Sequence, residues 1–413
     1  MPANTLTSDV LIVGGGPAGS ACAIEARRLG LRATIVDKST FPRDKFCGDG
    51  LTADALRRLE ELGVDPRPMS SFFTVDQVSV RTTSGRQVSY PLPRDGMFGA
   101  VVRRDELDVA ILDRAREMGA DVIEGVAVTG LGTGDDRMTA TLGDGRSVQA
   151  RYVIGADGMW SPTRKMLGLG DRTYRGEFHA FRQYYSNVSD ELARGLWVWF
   201  EPEILPGYVW AFPESGGRAN VGFGIHRDCN ATREMKELWP ELLSRPHIAR
   251  VLGPDATPDG PHRAWPIPAR LDGMELTADR VLFVGDAAAA TDPMTGEGIA
   301  QALLTGTLAA RAVAAAGPGD PADATHRYEA AVRRSLLPDF LIAKWLGRLM
   351  RTELGVRGAA RASGMTDWTR RNFARWLLED YPRAVVFTPT RWHRELFTAP
   401  GAYRTPGPAP LPS

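Results

Sequence analysis

The sequence predicts an α/β fold in which a parallel-sheet domain, made of three chain segments, is interrupted by an antiparallel sheet and followed by helices. Three observations support this prediction. A strand–helix–strand unit stands near the N-terminus, and a second strand near residue 281 runs into a glycine-rich turn and a helix. Aromatic, β-rich runs separate these two motifs. We therefore expect an α/β core within a chain that is α+β overall.

The N-terminal unit spans residues 9–37 and has every element of a Rossmann-like βαβ motif. Val10–Val13 is an apolar strand, and a G-x-G-x-x-G pattern over Gly14–Gly19 leads into a helix. Gly30 supplies the helix stop, and Arg32–Val36 forms the second strand. Asp37 follows Gly19 by 18 residues, near the spacing of an acid that binds a ribose. The unit therefore predicts a dinucleotide site.

The second motif runs from Val281 to Leu303. An apolar strand ends in Gly285-Asp286, and a helical pattern begins at Ile299 after a turn rich in proline and glycine. The carboxylate can accept hydrogen bonds from hydroxyl groups, while the N–H groups of a helix N-terminus face negative charge. These properties suit the ribityl chain and the partly anionic ring edge of a flavin. An ordinary strand–loop–helix connection is the alternative, and the βαβ unit favours the flavin.

The elements between these motifs are predicted from hydrophobic periodicity and turn residues. A helix is expected over Asp49–Gly63, followed by a hairpin with its turn at Ser84-Gly85. A helix over Val101–Gly119 and a strand over Val122–Val128 come next. A further hairpin turns at residues 143–145.

Residues 181–225 predict an antiparallel meander, and the chain reads as mainly helical from about residue 322. The predicted domain limits follow from this order. They are 1–71, 99–175 and 276–330 for the dinucleotide-binding domain, 72–98 and 176–275 for the sheet domain, 331–400 for the helical region and 401–413 for a disordered tail.

Composition excludes several classes of protein. The 50 basic and 50 acidic residues balance, so no bulk charge favours nucleic acid. The three cysteines are far apart and the six histidines lack metal-ligand spacing, so neither a disulfide framework nor a metal site is expected. The N-terminus lacks the pattern of a signal peptide, and no uninterrupted apolar run approaches a membrane span. We therefore expect a cytoplasmic location.

The order of motifs resembles the FAD-dependent oxidoreductases of the p-hydroxybenzoate hydroxylase type over most of the chain before residue 330. The G-A-D-G of Gly155–Gly158 and the R-x-x-L-D of Arg104–Asp108 belong to this resemblance. It implies that Arg104 lies near the diphosphate or ribityl chain of FAD, that Asp157 belongs to a loop near the cofactor, and that Asp286 holds ribityl hydroxyls.

Two further segments are similar to the geranylgeranyl reductase family. They are FPRDKFCGDGL at Phe41–Leu51 and YVWAFPESGGRANVGFG at Tyr208–Gly224. Members that reduce alkenes carry this pair, whereas flavin halogenases share the scaffold but have a different tryptophan segment. GLWVWFEP at Gly195–Pro202 imitates the halogenase pattern and departs from it after the second tryptophan. Asp49 departs from the reductase pattern, in which many members have glycine.

The predicted FAD-binding residues come from these motifs and their neighbours. They are Gly14, Gly16, Pro17, Ala18, Gly19, Asp37, Lys38, Cys47, Gly48, Arg104, Val126, Asp157, Gly158, Gly285, Asp286, Pro293, Gly296, Gly298 and Ile299. Arg43 and Lys45 have two interpretations, as contacts to phosphates or an anionic substrate group, or as solvated loop charges. FAD takes the one visible dinucleotide motif, so NADPH or NADH would bind transiently at the flavin face. A ferredoxin or a separate reductase is the alternative electron donor.

The predicted catalytic residues are Cys47, Tyr208, Trp210 and Phe212. The Cys47 thiol could act as an acid or shape the pocket, and a small buried hydrophobe is the alternative. Tyr208, Trp210 and Phe212 alternate along a predicted strand, so they share one face. That face is either a wall for an apolar substrate or ordinary sheet core, and Tyr208 is a second candidate proton donor.

The resemblance implies a reductase that saturates a C=C bond of an isoprenoid or other apolar polyene, including prenyl lipids. The first alternative is an oxygen-using hydroxylase, epoxidase or halogenase that tailors a natural product. The second is an electron carrier to quinone, for which three scattered cysteines supply no iron–sulfur cluster. Aromatic and basic residues alternate near the C-terminus, which predicts either contact with a membrane surface or packing on the sheet domain. They are Trp368, Arg370, Arg371, Phe373, Arg375, Trp376 and Leu377.

Overall fold

The computed structural model describes residues 5–171, 173–228, 235–317, 319–392 and 396–404. Its strands are β1 Thr5–Val13, β2 Ala33–Val36, β3 Gly50–Thr52, β4 Phe73–Thr74, β5 Gln77–Arg81, β6 Gln87–Pro91, β7 Gly99–Val101, β8 Asp121–Ile123, β9 Val128–Thr133, β10 Met138–Leu142, β11 Ser147–Gly155, β12 Phe178–Ser186, β13 Leu196–Trp199, β14 Tyr208–Glu214, β15 Arg218–His226, β16 Thr257–Ile267, β17 Thr277–Ala278 and β18 Val281–Phe283. Its helices are α1 Pro17–Arg28, α2 Ala53–Leu62, α3 Arg104–Glu117, α4 Pro162–Met166, α5 Met235–Ser244, α6 Pro246–Leu252, α7 Ile299–Ala316, α8 Pro321–Leu349, α9 Glu353–Ser363 and α10 Asp367–Leu377.

The first sheet has the order β17-β18-β11-β1-β2-β8, and β9 and β10 extend it beside β11. Its central pairs, β18 with β11, β11 with β1, β1 with β2 and β2 with β8, are parallel. The α1 helix packs against α3 and α7, and α7 packs against α8. Helices therefore cover strands that are apolar and fully buried, such as Val10–Ile12. The predicted α/β fold class is confirmed.

The second sheet has the order β16-β12-β15-β14-β13-β5-β6. Of the four strands that carry the aromatic runs, β13, β14 and β15 are neighbours in chain order, whereas β12 pairs with β15 and β16 and not with β13. The predicted meander over all four aromatic runs is therefore wrong. The sheet is not wholly antiparallel either, since β13 lies parallel to β5, with Leu196 opposite Val78. One face packs on α5 and α6, and the other packs on α10.

Three predicted element boundaries are also wrong. The helix expected from Asp49 begins at Ala53, because residues 50–52 pair with β7 and Thr52 caps the helix by accepting from the Ala55 N–H at 3.3 Å. The helix expected from Val101 begins at Arg104, since Val101 is the last residue of β7. The strand expected over 122–128 ends at Ile123, and β9 begins only at Val128.

The tail prediction fails for the part that the structure describes. Ala402 pairs with Met97 and is buried, and the Gly401 N–H donates to the Asp95 carbonyl at 2.7 Å. These contacts place residues 401–404 on the body of the protein, whereas residues 405–413 lie outside the described residues. The other domain limits stay a prediction.

Among the described residues, one helix is long and apolar enough to cross a membrane by length and composition. This is α7, of which 61% is buried inside the protein. Because α7 packs between α1 and α8, its apolar composition is that of a core helix.

Candidate active site

A cleft of about 640 Å³ lies where the parallel strands of the first sheet end. It brings together sixteen residues of the predicted cofactor set, namely Gly14, Gly16, Pro17, Ala18, Asp37, Lys38, Cys47, Gly48, Arg104, Asp157, Gly158, Gly285, Asp286, Gly296, Gly298 and Ile299. Three predicted residues lie outside its lining. A Cβ at Gly19 would lie 1.9 Å from the Gly14 carbonyl oxygen, so Gly19 serves the packing of the turn. Val126 donates its N–H to the Asp37 carbonyl at 3.1 Å, and Pro293 faces a neighbouring apolar cavity.

The residues of the cleft fit the groups of FAD. Gly14 has φ +110°, and a Cβ there would lie 2.3 Å from the Ala156 carbonyl oxygen, so only glycine allows this close turn. Gly16 precedes α1 without a capping side chain, which leaves the N–H groups of the first turn facing the cleft for a pyrophosphate. The Asp37 carboxylate accepts from the Gly15 and Ser39 N–H groups at 2.7 and 2.8 Å, which fixes it at the end of β2 for a ribose.

Charged side chains pair on the wall of the cleft, where Arg104 and Asp108 are buried and Arg43 and Lys45 are partly exposed. Arg104 binds Asp108 through two hydrogen bonds of 2.6 and 2.9 Å, and Arg43 lies 3.3 Å from the same carboxylate. Lys45 lies 3.7 Å from Asp286, and burial lowers the pKa of this lysine. The Arg43 and Lys45 side chains are thus held on the cleft wall by carboxylates, and neither extends freely into solvent.

The loop that carries Cys47 lies directly on β14. A Cβ at Gly48 would lie 3.5 Å from Phe212 Cε2 and 3.6 Å from Trp210 Nε1. Tyr208, Trp210 and Phe212 line the cleft, as does Cys47. Two segments separated by about 160 residues in the sequence therefore meet beside the cofactor site. Burial raises the pKa of the Cys47 thiol to about 11, so the thiol is neutral near pH 7.

The polar groups of the β14 aromatics are engaged in hydrogen bonds. The Tyr208 hydroxyl donates to the carbonyl of Thr295, in the segment before α7. Trp210 Nε1 donates to Asn220 Oδ1 at 3.0 Å. Tyr208 therefore links the sheet domain to the segment before α7, and Trp210 is held by the neighbouring strand β15. Neither group points a free N–H or O–H at a reacting carbon.

Asn220 is a central residue that the sequence did not single out. Its Nδ2 donates to the Cys47 carbonyl at 2.8 Å and to Asp49 Oδ2 at 2.7 Å, while its Oδ1 accepts from Trp210. One side chain thus holds the Cys47 loop and a cleft aromatic together. The signal in the sequence was an amide inside the β-rich run at residues 218–225, and in the structure this amide is fully buried, where a polar group needs partners.

Asp49 lies behind this loop in a buried polar pocket. Tyr184 donates its hydroxyl to Asp49 Oδ2 at 2.7 Å, and burial raises the pKa of Asp49 to about 6. Glu214 lies nearby, and burial together with the Asp49 charge raises its pKa to about 8. Asp49 Oδ1, both Glu214 carboxyl oxygens and the Nε atoms of Arg103 and Arg182 find no hydrogen-bond partner among the described residues.

A second, apolar cavity of about 1360 Å³ joins the cleft. Its walls are β5, β13 and β14 on one side and α8 to α10 on the other, with Val80, Val198 and Phe373 among the lining residues. Tyr208, Phe212 and Glu297 line both spaces. The cavity therefore offers a long apolar channel that ends at the cofactor site.

Glu297 is a carboxyl at this junction, and the sequence did not single it out. Burial raises its pKa to about 7, although its Oε1 accepts from the Ile299 N–H at 3.0 Å. Arg104 acts against this shift, and the charge of Asp292 adds to it. Its signal in the sequence was an acid between two glycines in the turn before α7. Glu297 can therefore hold a proton near neutral pH.

The C-terminal region reaches the same junction. Arg383, which is almost fully buried, binds Asp292 at 2.8 Å. Glu379 accepts from Gln301 Nε2 at 2.9 Å and from the Thr52 hydroxyl at 3.1 Å. These contacts hold the chain after α10 against the segment that begins α7.

Known proteins are similar to this chain in sequence and in fold. The profile of an FAD binding domain family matches residues 7–334. A menaquinone reductase from Mycobacterium tuberculosis is 33% identical over 319 residues, covering 74% of this chain and 76% of the relative. A digeranylgeranylglycerophospholipid reductase from Methanosarcina acetivorans is 28% identical, covering 74% of each chain.

Two solved structures share the fold at low identity. A geranylgeranyl bacteriochlorophyll reductase-like protein from Thermoplasma acidophilum has a TM-score of 0.78 at 22% identity, covering 94% of this chain and 100% of that one. A flavin-dependent brominase has a TM-score of 0.73 at 20% identity, covering 93% of this chain and 98% of that one. The resemblance drawn from the two sequence segments is confirmed. The chain belongs to the FAD binding domain family, and within it to the FAD-dependent oxidoreductases of the geranylgeranyl reductase type.

Proposed function

We propose that the chain saturates a C=C bond of an isoprenoid or other apolar polyene, as an FAD-dependent reductase acting on a CH–CH group. The observation that carries this proposal is the apolar cavity of about 1360 Å³ that ends at Tyr208, Phe212 and Glu297 beside the cofactor cleft. A chain-like apolar substrate can lie in this cavity with one end against the cleft. The relatives named for reduction of menaquinone and of a digeranylgeranyl lipid support the same substrate class.

The proposed reaction adds two hydrogens across the double bond. When bound and reduced, FAD would supply the hydride for one alkene carbon. The protein supplies a proton to the other carbon and excludes water from the apolar channel. Glu297 is the better candidate for that proton, because its pKa is raised to about 7, whereas the neutral Cys47 thiol has a pKa of about 11. The Tyr208 hydroxyl is engaged by Thr295.

The electron donor in this proposal is NADPH or NADH, which would bind transiently at the open face of the cleft. A ferredoxin or a separate reductase is the alternative donor. The proposed location is the cytoplasm, where reduced nicotinamide cofactors are supplied.

The proposal is tested by following the two half-reactions separately. The purified FAD-loaded protein is reduced under anaerobic conditions with NADPH, NADH or dithionite, and then mixed with menaquinone or a geranylgeranyl lipid. The expected result is reoxidation of the flavin together with a product that has gained two hydrogens by mass.

An oxygen-using hydroxylase or halogenase is the second candidate, since a flavin-dependent brominase shares the fold. The reductase proposal would be overturned if the reduced protein did not react with the alkene but transferred oxygen or halide to an organic substrate when oxygen was admitted. Dithionite serves as the control that separates a missing electron donor from a missing alkene reaction.

A further inference from the structure

Large apolar side chains are exposed mainly at one end of the described chain. Thirteen are exposed, and ten of these lie between residues 341 and 397. A scatter of single exposed apolar residues is normal on a protein surface, but a concentration marks an interaction site. The C-terminal region therefore has an unsatisfied apolar surface.

Six of these side chains also line the apolar cavity, and we call them the apolar rim. They are Trp345, Leu349, Trp368, Val386, Phe387 and Phe397, with exposures between 46% and 73%. They come from α8, from α10 and from the segments after α10. Because each contacts the cavity and solvent, the rim is the cavity's mouth, and the apolar lining is continuous from the rim to Phe212 at the cofactor cleft.

The chain around the rim is positively charged. Residues 341–397 contain eleven lysines and arginines against five acids, whereas the whole chain has equal numbers of each. Four of these cations pair with acids outside this range, namely Lys344, Arg351, Arg383 and Arg391, and the segment keeps an excess of positive charge. Arg348, Arg361 and Arg371 are among the exposed ones. Clustered arginines are attracted to anionic headgroups, and exposed tryptophans favour the boundary between headgroups and acyl chains. The positive charge around the rim therefore favours an anionic lipid surface as its binding partner.

The sequence left two interpretations for α10, contact with a membrane surface or packing on the sheet domain. In the structure, some of its residues pack inward and others are exposed. Phe373 packs inward, with its ring centroid 4.7 Å from that of Tyr90, and Trp376 is partly buried beside it. Trp368, on the first turn of the same helix, is 65% exposed at the rim. The helix therefore packs on the sheet domain with one face and presents its N-terminal end to the surroundings.

We propose that the apolar rim docks in the interfacial layer of a membrane that contains anionic lipids. Docked in this way, the mouth of the cavity faces the acyl region, and an apolar chain passes from the bilayer to the cofactor cleft without crossing water. The docking step stands on the rim and its charge, and the identity of the chain that enters rests on the proposed function.

The test uses the full FAD-loaded protein and sucrose-filled vesicles that contain either phosphatidylcholine alone or phosphatidylcholine with phosphatidylglycerol. We expect cosedimentation with the anionic vesicles, a drop in binding at high salt, and a blue shift of tryptophan fluorescence. Replacing Trp368 and Phe387 by serine should weaken vesicle binding by about tenfold or more, as should replacing Arg348 and Arg361 by glutamine. The matched control replaces Leu6 and Leu29, which are exposed at the opposite end of the sequence, and should leave binding unchanged.

Absence of vesicle binding by the FAD-loaded wild-type protein would overturn the proposal, as would equal losses in the rim and control variants. A concentration-dependent dimer in light scattering, abolished by the rim substitutions, would assign the surface to a second copy of the chain and also overturn it. If the protein reduced the alkene in detergent but did not bind vesicles, the docking proposal would be wrong and the proposed function would stand. If the protein bound vesicles but did not reduce the alkene, the proposed function would be wrong and the docking proposal would stand.

Discussion

Replacing Asp49 by asparagine tests the buried pocket behind the Cys47 loop. Asp49 is fully buried, and its Oδ2 accepts from Tyr184 and Asn220, while Oδ1 has no partner among the described residues. Asparagine keeps the shape and the accepting oxygen, so it removes the charge without emptying the site. The variant should fold and retain FAD.

The expected change is one of pH dependence. Burial raises the pKa of Asp49 from 3.8 to about 6, so the folded state holds this proton more tightly than the unfolded chain. The unfolded chain loses the proton as the pH rises above 3.8, and the folded protein loses it only near pH 6. Stability therefore falls across this window, by about 3 kcal/mol at 1.36 kcal/mol per pKa unit, and the loss stays constant at higher pH. The asparagine variant should lack this loss.

The assay is the difference in melting temperature between variant and wild type, measured from pH 4 to pH 8. A chain of 413 residues that unfolds cooperatively has an unfolding entropy that converts 3 kcal/mol into a shift of about 3 °C. We expect the difference to move in favour of the variant by about that amount between pH 4 and pH 7. The control, Asp144→Asn at an exposed pair with Arg146, should show no such step. A difference that is the same at every pH would refute the assignment of a buried charge to Asp49.

Three further predictions concern the cofactor cleft and the cavity. Glu297→Gln should slow alkene reduction by about a hundredfold or more while flavin reduction by the donor is unchanged. The wild-type alkene rate should fall as pH rises through about 7, because Glu297 must be protonated to donate, and stopped-flow traces of each half-reaction check both statements. Gly19→Ala should fail to fold, because its Cβ would lie 1.9 Å from the Gly14 carbonyl oxygen. In Gly16→Ala the new Cβ would meet only the end of an arginine side chain at 3.4 Å, so this variant should fold but not bind FAD. Circular dichroism and flavin absorbance distinguish these two outcomes, and a yellow Gly16→Ala protein would contradict the second. Val198→Trp should raise the KM for long polyprenyl substrates and spare short ones, and an equal effect on both lengths would count against the cavity as the substrate channel.

The parts of the fold that the sequence predicted are those set by local patterns. The glycine spacing, the apolar strand and the acid of the N-terminal unit lie within about 30 residues, and the helix predicted at Ile299 begins at that residue. The predicted helix at Asp49 failed because residues 50–52 are drawn into a strand by β7, about 50 residues away. A distant pairing partner overrode a helical periodicity that was locally sound.

The missed site residues depend on contacts between distant segments. Asn220 and Asp49 are 171 positions apart, and Arg383 and Asp292 are 91 apart. Neither pair has a sequence spacing that predicts its contact. Cys47 and Trp210 were singled out because each lies in a segment shared with a known family, whereas their polar supports have no such motif. The arrangement of aromatic residues was thus easier to predict than the hydrogen bonds that fix it.

The buried pair of Arg383 and Asp292 has a consequence for how the two halves of the site communicate. Arg383 lies beyond the matched family region, which ends at residue 334, and it lines the apolar cavity. Asp292 belongs to the segment before α7, which reaches the cofactor cleft. Because both side chains are buried against each other, a ligand that moves one partner would disturb the other. Free energies of binding are reciprocal, so if the pair couples FAD to the proposed apolar substrate, each ligand should tighten the binding of the other by the same factor. Filling of the channel and retention of the cofactor would then be two equilibria linked by one coupling free energy.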